Sequence, residues 1–135
     1  MSPLKTTRVA AIIATILFTA LFIFQVLLAA GVPLGKAAYG GKSDLLTPAL
    51  RIMSLLSALI FLGAIWTVLT RSGVIPVSKG VRGAAGWLVW GLVVLFSLSF
   101  LANVMSSSPW ERFLMAPSAL LIVICCIITT CNSNR

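Results

Sequence analysis

Four stretches of this chain run for about 20 residues with no charge near their middle, and that spacing constrains the fold more than any motif does. The hydrocarbon layer of a bilayer is roughly 30 Å thick and a helical residue rises about 1.5 Å, so about 20 apolar residues cross it. The stretches are residues 9–30, after Lys5 and Arg8; 48–70, closed by Arg71; 84–105, after Arg82; and 109–130. Arg51 falls in the first turn of the second stretch, where its long side chain can snorkel. Composition agrees: 60% of the residues are hydrophobic, 9% are charged, and the mean hydropathy is +1.13. A soluble domain carries about a quarter charged residues, and a chain this short cannot hide such an apolar excess in one core. The expected fold is all-α: a transmembrane four-helix bundle, one domain over residues 1–135, with a long outer loop between helices 1 and 2.

The apolar run from Val9 to Leu28 is longer than the roughly 7–15 residues of a signal peptide, so the first stretch is expected to remain as a span. Orientation follows from Lys and Arg. Lys5, Arg8, Arg71, Lys79, Arg82 and Arg135 share one side, and Lys36, Lys42, Arg51 and Arg112 the other. The richer side is expected to be cytoplasmic, which puts both termini inside, in the cell membrane. Trp66, Trp87 and Trp90 then sit at the inner interface, with Tyr39 and Trp110 at the outer one.

The counts also remove reaction classes. There is no His, and Asp44 and Glu111 are the only acids. An imidazole base, a His-ligated haem, a zinc site and a carboxylate dyad are therefore not expected, nor is a resident cofactor. Net charge is +8, yet the cations lie beside helix ends on both faces, with no basic run interleaved with aromatics. The pattern suits anionic lipid headgroups rather than nucleic acid.

Helix ends carry the clearest local chemistry. Ser108-Pro109-Trp110-Glu111 fits a capping box, in which Ser108 accepts from the Glu111 N–H and the Glu111 carboxylate reaches back to the Ser108 N–H. Thr47-Pro48 is the same start without the acid. Glu111 has two readings, a proton or cation site and this cap; the cap accounts for both its position and its neighbours. Pro117 deprives Phe113 of its helical donor and should bend the fourth helix. The 31–47 connection is rich in Gly and Pro but also holds Leu34, Ala37, Ala38, Leu45 and Leu46. It is expected to fold back over the outer mouth, with a short helical turn near residues 34–39.

Between helices, close packing of small residues is the expected glue. Candidate faces are Ala10/Ala14 with Thr15/Thr19, Ser54/Ala58 with Gly63/Thr67, and Gly86 with Ser99 and Asn103. Gln25 and Asn103 are the amides within the spans, and each needs an inward partner. They read either as interhelical hydrogen bonds or, with Arg51, as a small polar pocket beneath the loop. Cys125, Cys126 and Cys131 lack C-x-x-C spacing and read as apolar filler; palmitoylation of Cys131 is the alternative.

The Gly31–Gly35 and Gly40-Gly41 loop after the first helix, with Asn103 and Ser108–Arg112 before the fourth, resembles small four-helix bacterial membrane proteins. That resemblance spans the whole layout and implies the fold without an activity. Small multidrug exporters carry an essential glutamate in their first helix, which has none here. Fluoride channels share the length and helix count, but their Asn, Phe and Gly-x-x-x-Arg pattern does not align. Vitamin K epoxide reductase-like bundles need a C-x-x-C, and CDP-alcohol phosphotransferases need several aspartates. The expected function is non-enzymatic: an accessory or structural bundle acting through helix packing and partners, as a homo-oligomer or within a larger membrane complex. The alternative is a small oligomeric transporter or channel for an anion or neutral solute.

Overall fold

A computed structural model describes residues 2–133. Arg135, one of the expected inner cations, lies outside the described residues. Among the described residues there are four α-helices: α1 (Pro3–Ala30), α2 (Pro48–Arg71), α3 (Lys79–Met105) and α4 (Ala116–Asn132), the last preceded by a π-helical turn over Glu111–Met115. All four, counting the π turn with α4, are long and apolar enough to cross a membrane, which is compatible with a multi-pass membrane protein.

Local chemistry sets the boundaries. Thr47 Oγ1 accepts from the Leu50 N–H at 3.4 Å and Ser78 Oγ from the Val81 N–H at 3.4 Å, each filling one of the orphan donors of a helix start. α1 ends in a left-handed Gly31, with Gly31 N–H bonded to Leu28 O and Val32 N–H to Leu27 O, the paired bonds of a Schellman stop. Two boundaries differ from the sequence expectation. α1 begins at Pro3 rather than at residue 9, and α3 at Lys79 rather than at residue 84. A charge-free run marks the hydrocarbon edge, whereas a helix keeps its own backbone bonds beyond that edge, so Lys5, Arg8, Lys79 and Arg82 ride on helical turns. The 28 residues of α1 span about 42 Å at 1.5 Å each.

Successive helices pack side by side: α1 on α2, α2 on α3 and α3 on α4, with α4 closing back on α1. Buried Ala10, Ala11, Ala14, Ala58, Ala64 and Ala119 line the seams, where their small side chains let backbones approach. One aromatic layer crosses the centre. Phe18 is fully buried, edge-on to Phe96 with ring centroids 5.3 Å apart, and 6.2 Å from Phe61. Beyond that layer, towards the termini, Val68, Val89, Ile122, Cys125 and Cys126 complete the core. Thr15 and Thr19 do not bridge helices; their hydroxyls bond Ala11 O and Thr15 O within α1, the local partner a helical threonine reaches first. Thr67 likewise bonds Gly63 O. The burial is uneven. In its most apolar window α4 is 39% buried and α3 only 11%.

Candidate functional site

The 31–47 connection folds back over one end of the helices as two short 3₁₀ turns, Gly35–Ala37 and Tyr39–Gly41. Glycine is needed where it comes closest to its neighbours. A Cβ on Gly35 would lie 2.3 Å from Ser43 O, and one on Gly41, at φ +66°, would lie 2.8 Å from Lys36 O and 2.9 Å from Ser108 Cβ. Gly35 N–H bonds Asp44 O at 2.8 Å, and the exposed Lys36–Asp44 pair at 3.5 Å adds little.

The α3–α4 connection and the π turn hold this loop down. Ser108 Oγ donates to Lys36 O at 2.6 Å, and Ser107 Oγ to Gly40 O at 3.4 Å. Glu111 Oε1 accepts the Gly40 N–H at 3.0 Å, and its Oε2 accepts from Ser106 Oγ. Tyr39 OH shares a 3.1 Å bond with the fully buried Ser54 Oγ on α2. The capping box expected at Ser108 and Glu111 is therefore corrected. Ser108 N–H bonds Ser106 Oγ at 3.1 Å, and the Glu111 carboxylate spans to the loop instead of turning back on its own helix. The π turn accompanies the change: Ala116 N–H bonds Glu111 O, five residues back. It lies directly before Pro117, where the sequence predicts a bend.

Beneath the loop lies a cavity of about 500 Å³. Its roof is Ala37–Gly40 and its apolar walls include Leu21, Phe24, Phe61 and Phe96; Gln25, Ser99, Asn103, Ser106 and Glu111 supply its polar groups. The structure thus brings together Gln25 and Asn103 from the expected pocket and adds Glu111. Asn103 Nδ2 donates to Ser99 Oγ at 3.5 Å, and Gln25 Oε1 is buried with no hydrogen-bond partner among the described residues. Arg51 does not belong to the lining, which corrects the expected trio. Its Nε bonds Ala29 O at 2.8 Å, satisfying one of the carbonyls left open at the end of α1. Thr47 serves as the α2 cap and lies outside the lining. Glu111 is 8% exposed and lines the cavity, and among the described residues the salt bridge found is Lys36–Asp44, so its carboxyl group has no ion pair there. Sequence reasoning missed Tyr39 and Ser106 as site residues. The available signal was the only tyrosine of the chain, set in a glycine-rich turn.

A smaller cavity of about 350 Å³ lies towards the opposite end, lined by Arg71, Gly83, Gly86, Trp87, Trp90 and Thr130. Arg71 is 7% exposed and donates to Thr130 O at 3.2 Å and Arg82 O at 3.4 Å, so its charge ties together the ends of α2, α3 and α4. Gly86 leaves room for it, since a Cβ there would meet the guanidinium at 3.1 Å. Cys125 and Cys126 are buried free thiols, and Cys131 is exposed. Among the described residues no three His, Cys, Asp or Glu side chains converge as a metal site would require. Comparison with protein-family models, with curated proteins and with solved structures finds no match.

Proposed function

We propose that this chain is a non-enzymatic, multi-pass protein of the cell membrane, one transmembrane domain that acts as an accessory or structural bundle through helix packing and partners. Those partners are anionic lipid headgroups and a second copy of the chain or a larger membrane complex. The observation that carries the reading is the outward face of α3. Gly80, Ala84, Trp87, Gly91, Val94, Leu98, Leu101 and Met105 are all exposed and recur at alternating steps of four and three. That is the spacing of a seam on which a second helix packs, with small residues towards one end for close approach. The basic residues near the two termini and in the α2–α3 connection favour a cytoplasmic side for both termini.

Cysteine cross-linking in native membranes tests it, with the three natural cysteines replaced. Single cysteines at positions 91, 94, 98 and 101 should cross-link between copies or to one neighbouring protein, while positions 92 and 93 should not. Absence of protein cross-links at every α3 position overturns the accessory reading.

The loop-end cavity favours a second reading, a small solute-handling bundle. Its lining holds a carboxylate and no basic side chain, which suits a neutral solute better than the anion. Solute flux in proteoliposomes that disappears on Asn103→Leu, in a variant that still inserts, would establish this reading in place of the first.

A further inference from the structure

We propose that the loop-end cavity is a binding site for a small organic cation, an ammonium group on a compact apolar body, held by the Glu111 carboxylate. The inference rests on the second reading above only for the cavity being a ligand site; it departs from that reading in the charge of the ligand and requires no transport.

Around the Glu111 carboxylate the cavity has acceptor capacity to spare. A carboxylate oxygen can accept two hydrogen bonds. Glu111 Oε1 receives one, from Gly40 N–H, and Oε2 one, from Ser106 Oγ, which leaves each oxygen an open acceptor position. Gln25 Oε1 is a further buried acceptor with no partner on the same lining. Asn103 already directs its Nδ2 at Ser99 Oγ. What fits acceptors is a donor, and what fits a buried carboxylate without an ion pair is a positive charge, because a buried charge is costly unless paired. An ammonium group brings both, with up to three N–H donors. Phe24, Phe61 and Phe96 supply ring surface for the apolar body and for attraction between the cation and a ring face. The cavity of about 500 Å³ falls within the range of roughly 300–1,000 Å³ typical of small-molecule sites. An anion meets the Glu111 charge with no basic side chain in the lining to offset it.

The same contacts couple occupancy to the roof. Glu111 Oε1 fixes Gly40, and Gly40 is part of the roof, so a cation that stabilises the ionised carboxylate also stabilises the docked loop.

The test uses the full chain in lipid nanodiscs, with phenethylammonium as the probe and 2-phenylethanol and 3-phenylpropionate as its neutral and anionic counterparts. Calorimetry should show saturable binding of the ammonium probe alone. Glu111→Gln keeps an oxygen for the Gly40 N–H but removes the charge, and it should weaken binding by about ten- to a hundredfold. Gln25→Leu leaves the loop contacts alone and should weaken it by about three- to tenfold. Protection of the Gly40 amide from hydrogen exchange, retained in both variants, shows that the loop is still docked. An ammonium group reaches such a site either as a free amine or as a lipid headgroup. Discs with the same phosphatidylglycerol content, completed by either an amine-free galactolipid or phosphatidylethanolamine, separate these. Equal affinity in both discs identifies a free amine, and weaker probe binding in the phosphatidylethanolamine discs identifies the headgroup as competitor. The proposal is overturned by an absence of saturable binding at millimolar probe, by equal binding of 2-phenylethanol, or by Glu111→Gln binding as well as the parent. Ammonium binding without flux removes only the transport reading; flux of a neutral solute without ammonium binding removes only this inference.

Discussion

A hydroxyl that reaches a backbone carbonyl at 2.6 Å inside a packed contact contributes about 1 kcal/mol net. Ser108 makes such a bond to Lys36 O and is 3% exposed, whereas the exposed Ser107 reaches Gly40 O only at 3.4 Å. Ser108→Ala should therefore lower stability by about 1 kcal/mol, and Ser107→Ala by less than about 0.5. Denaturation in mixed micelles measures both, and equal effects would show that the shorter bond is not what holds the loop. The adjacent glycines make a second pair. Gly40 and Gly41 both adopt positive φ, at +80° and +66°, but a Cβ on Gly40 meets open space while one on Gly41 meets backbone and Ser108. Gly40→Ala should cost only the left-handed backbone term of about 1 kcal/mol. Gly41→Ala adds the clash, should cost about 2 kcal/mol or more, and should undock the loop. The Gly40 amide then loses its exchange protection in the second variant and keeps it in the first.

At the scale of elements, the turn before α4 decides where Glu111 points. Pro117 has no N–H to give to Phe113 O, and its ring crowds that carbonyl, so the preceding turn widens to the five-residue spacing seen at Ala116 N–H and Glu111 O. One extra residue in a turn rotates what precedes it by roughly 100°. Pro117→Ala restores the donor and allows an ordinary α turn, which should swing Glu111 away from Gly40. Gly40 amide exchange should then quicken by at least about tenfold as that bond is lost; unchanged protection would mean that something other than Pro117 holds the wide turn. This is also where sequence legibility stops. The four helices could be read because charges are absent over the right length, and the Thr47 cap because its partner is three residues away. The role of Glu111 could not. Its own neighbourhood satisfies a capping box, and the competing Gly40 N–H lies 71 residues distant, brought within reach only by the return of the loop. The place of Arg51 is illegible for a related reason. A position in the first turn of α2 does not reveal whether the guanidinium turns to the cavity or to the open Ala29 carbonyl at the neighbouring helix end. Gln25 and Asn103 are legible because polar groups in an apolar span have few other places to go.

Across the whole molecule, polarity is sorted by depth. Glu111 and the loop cavity occupy one end, Phe18, Phe61 and Phe96 fill the middle, and the buried Arg71 with Arg82 and Thr130 occupies the other. Both acids, Asp44 and Glu111, belong to the loop end, where they offset Lys36, Lys42, Arg51 and Arg112. The end that holds the termini and the α2–α3 connection has Lys5, Arg8, Arg71, Lys79 and Arg82 with no acidic side chain, and Arg135 follows in the sequence. Insertion responds to the placement of Lys and Arg rather than to net charge, so six basic residues against four favour keeping the terminal end in the cytoplasm. The thiols give a direct readout. Cys125 and Cys126 are 3% and 0% exposed, while Cys131 is exposed in the last turn of α4, beside the same end. A membrane-impermeant maleimide should label Cys131 in inside-out vesicles and leave intact cells unlabelled. Lys79→Gln with Arg82→Gln equalises the basic residues at four on each side, and label should then enter from both faces as two orientations coexist. Labelling of the parent protein in intact cells would reverse the orientation, placing the loop-end cavity at the cytoplasmic face and Arg71 at the outer one.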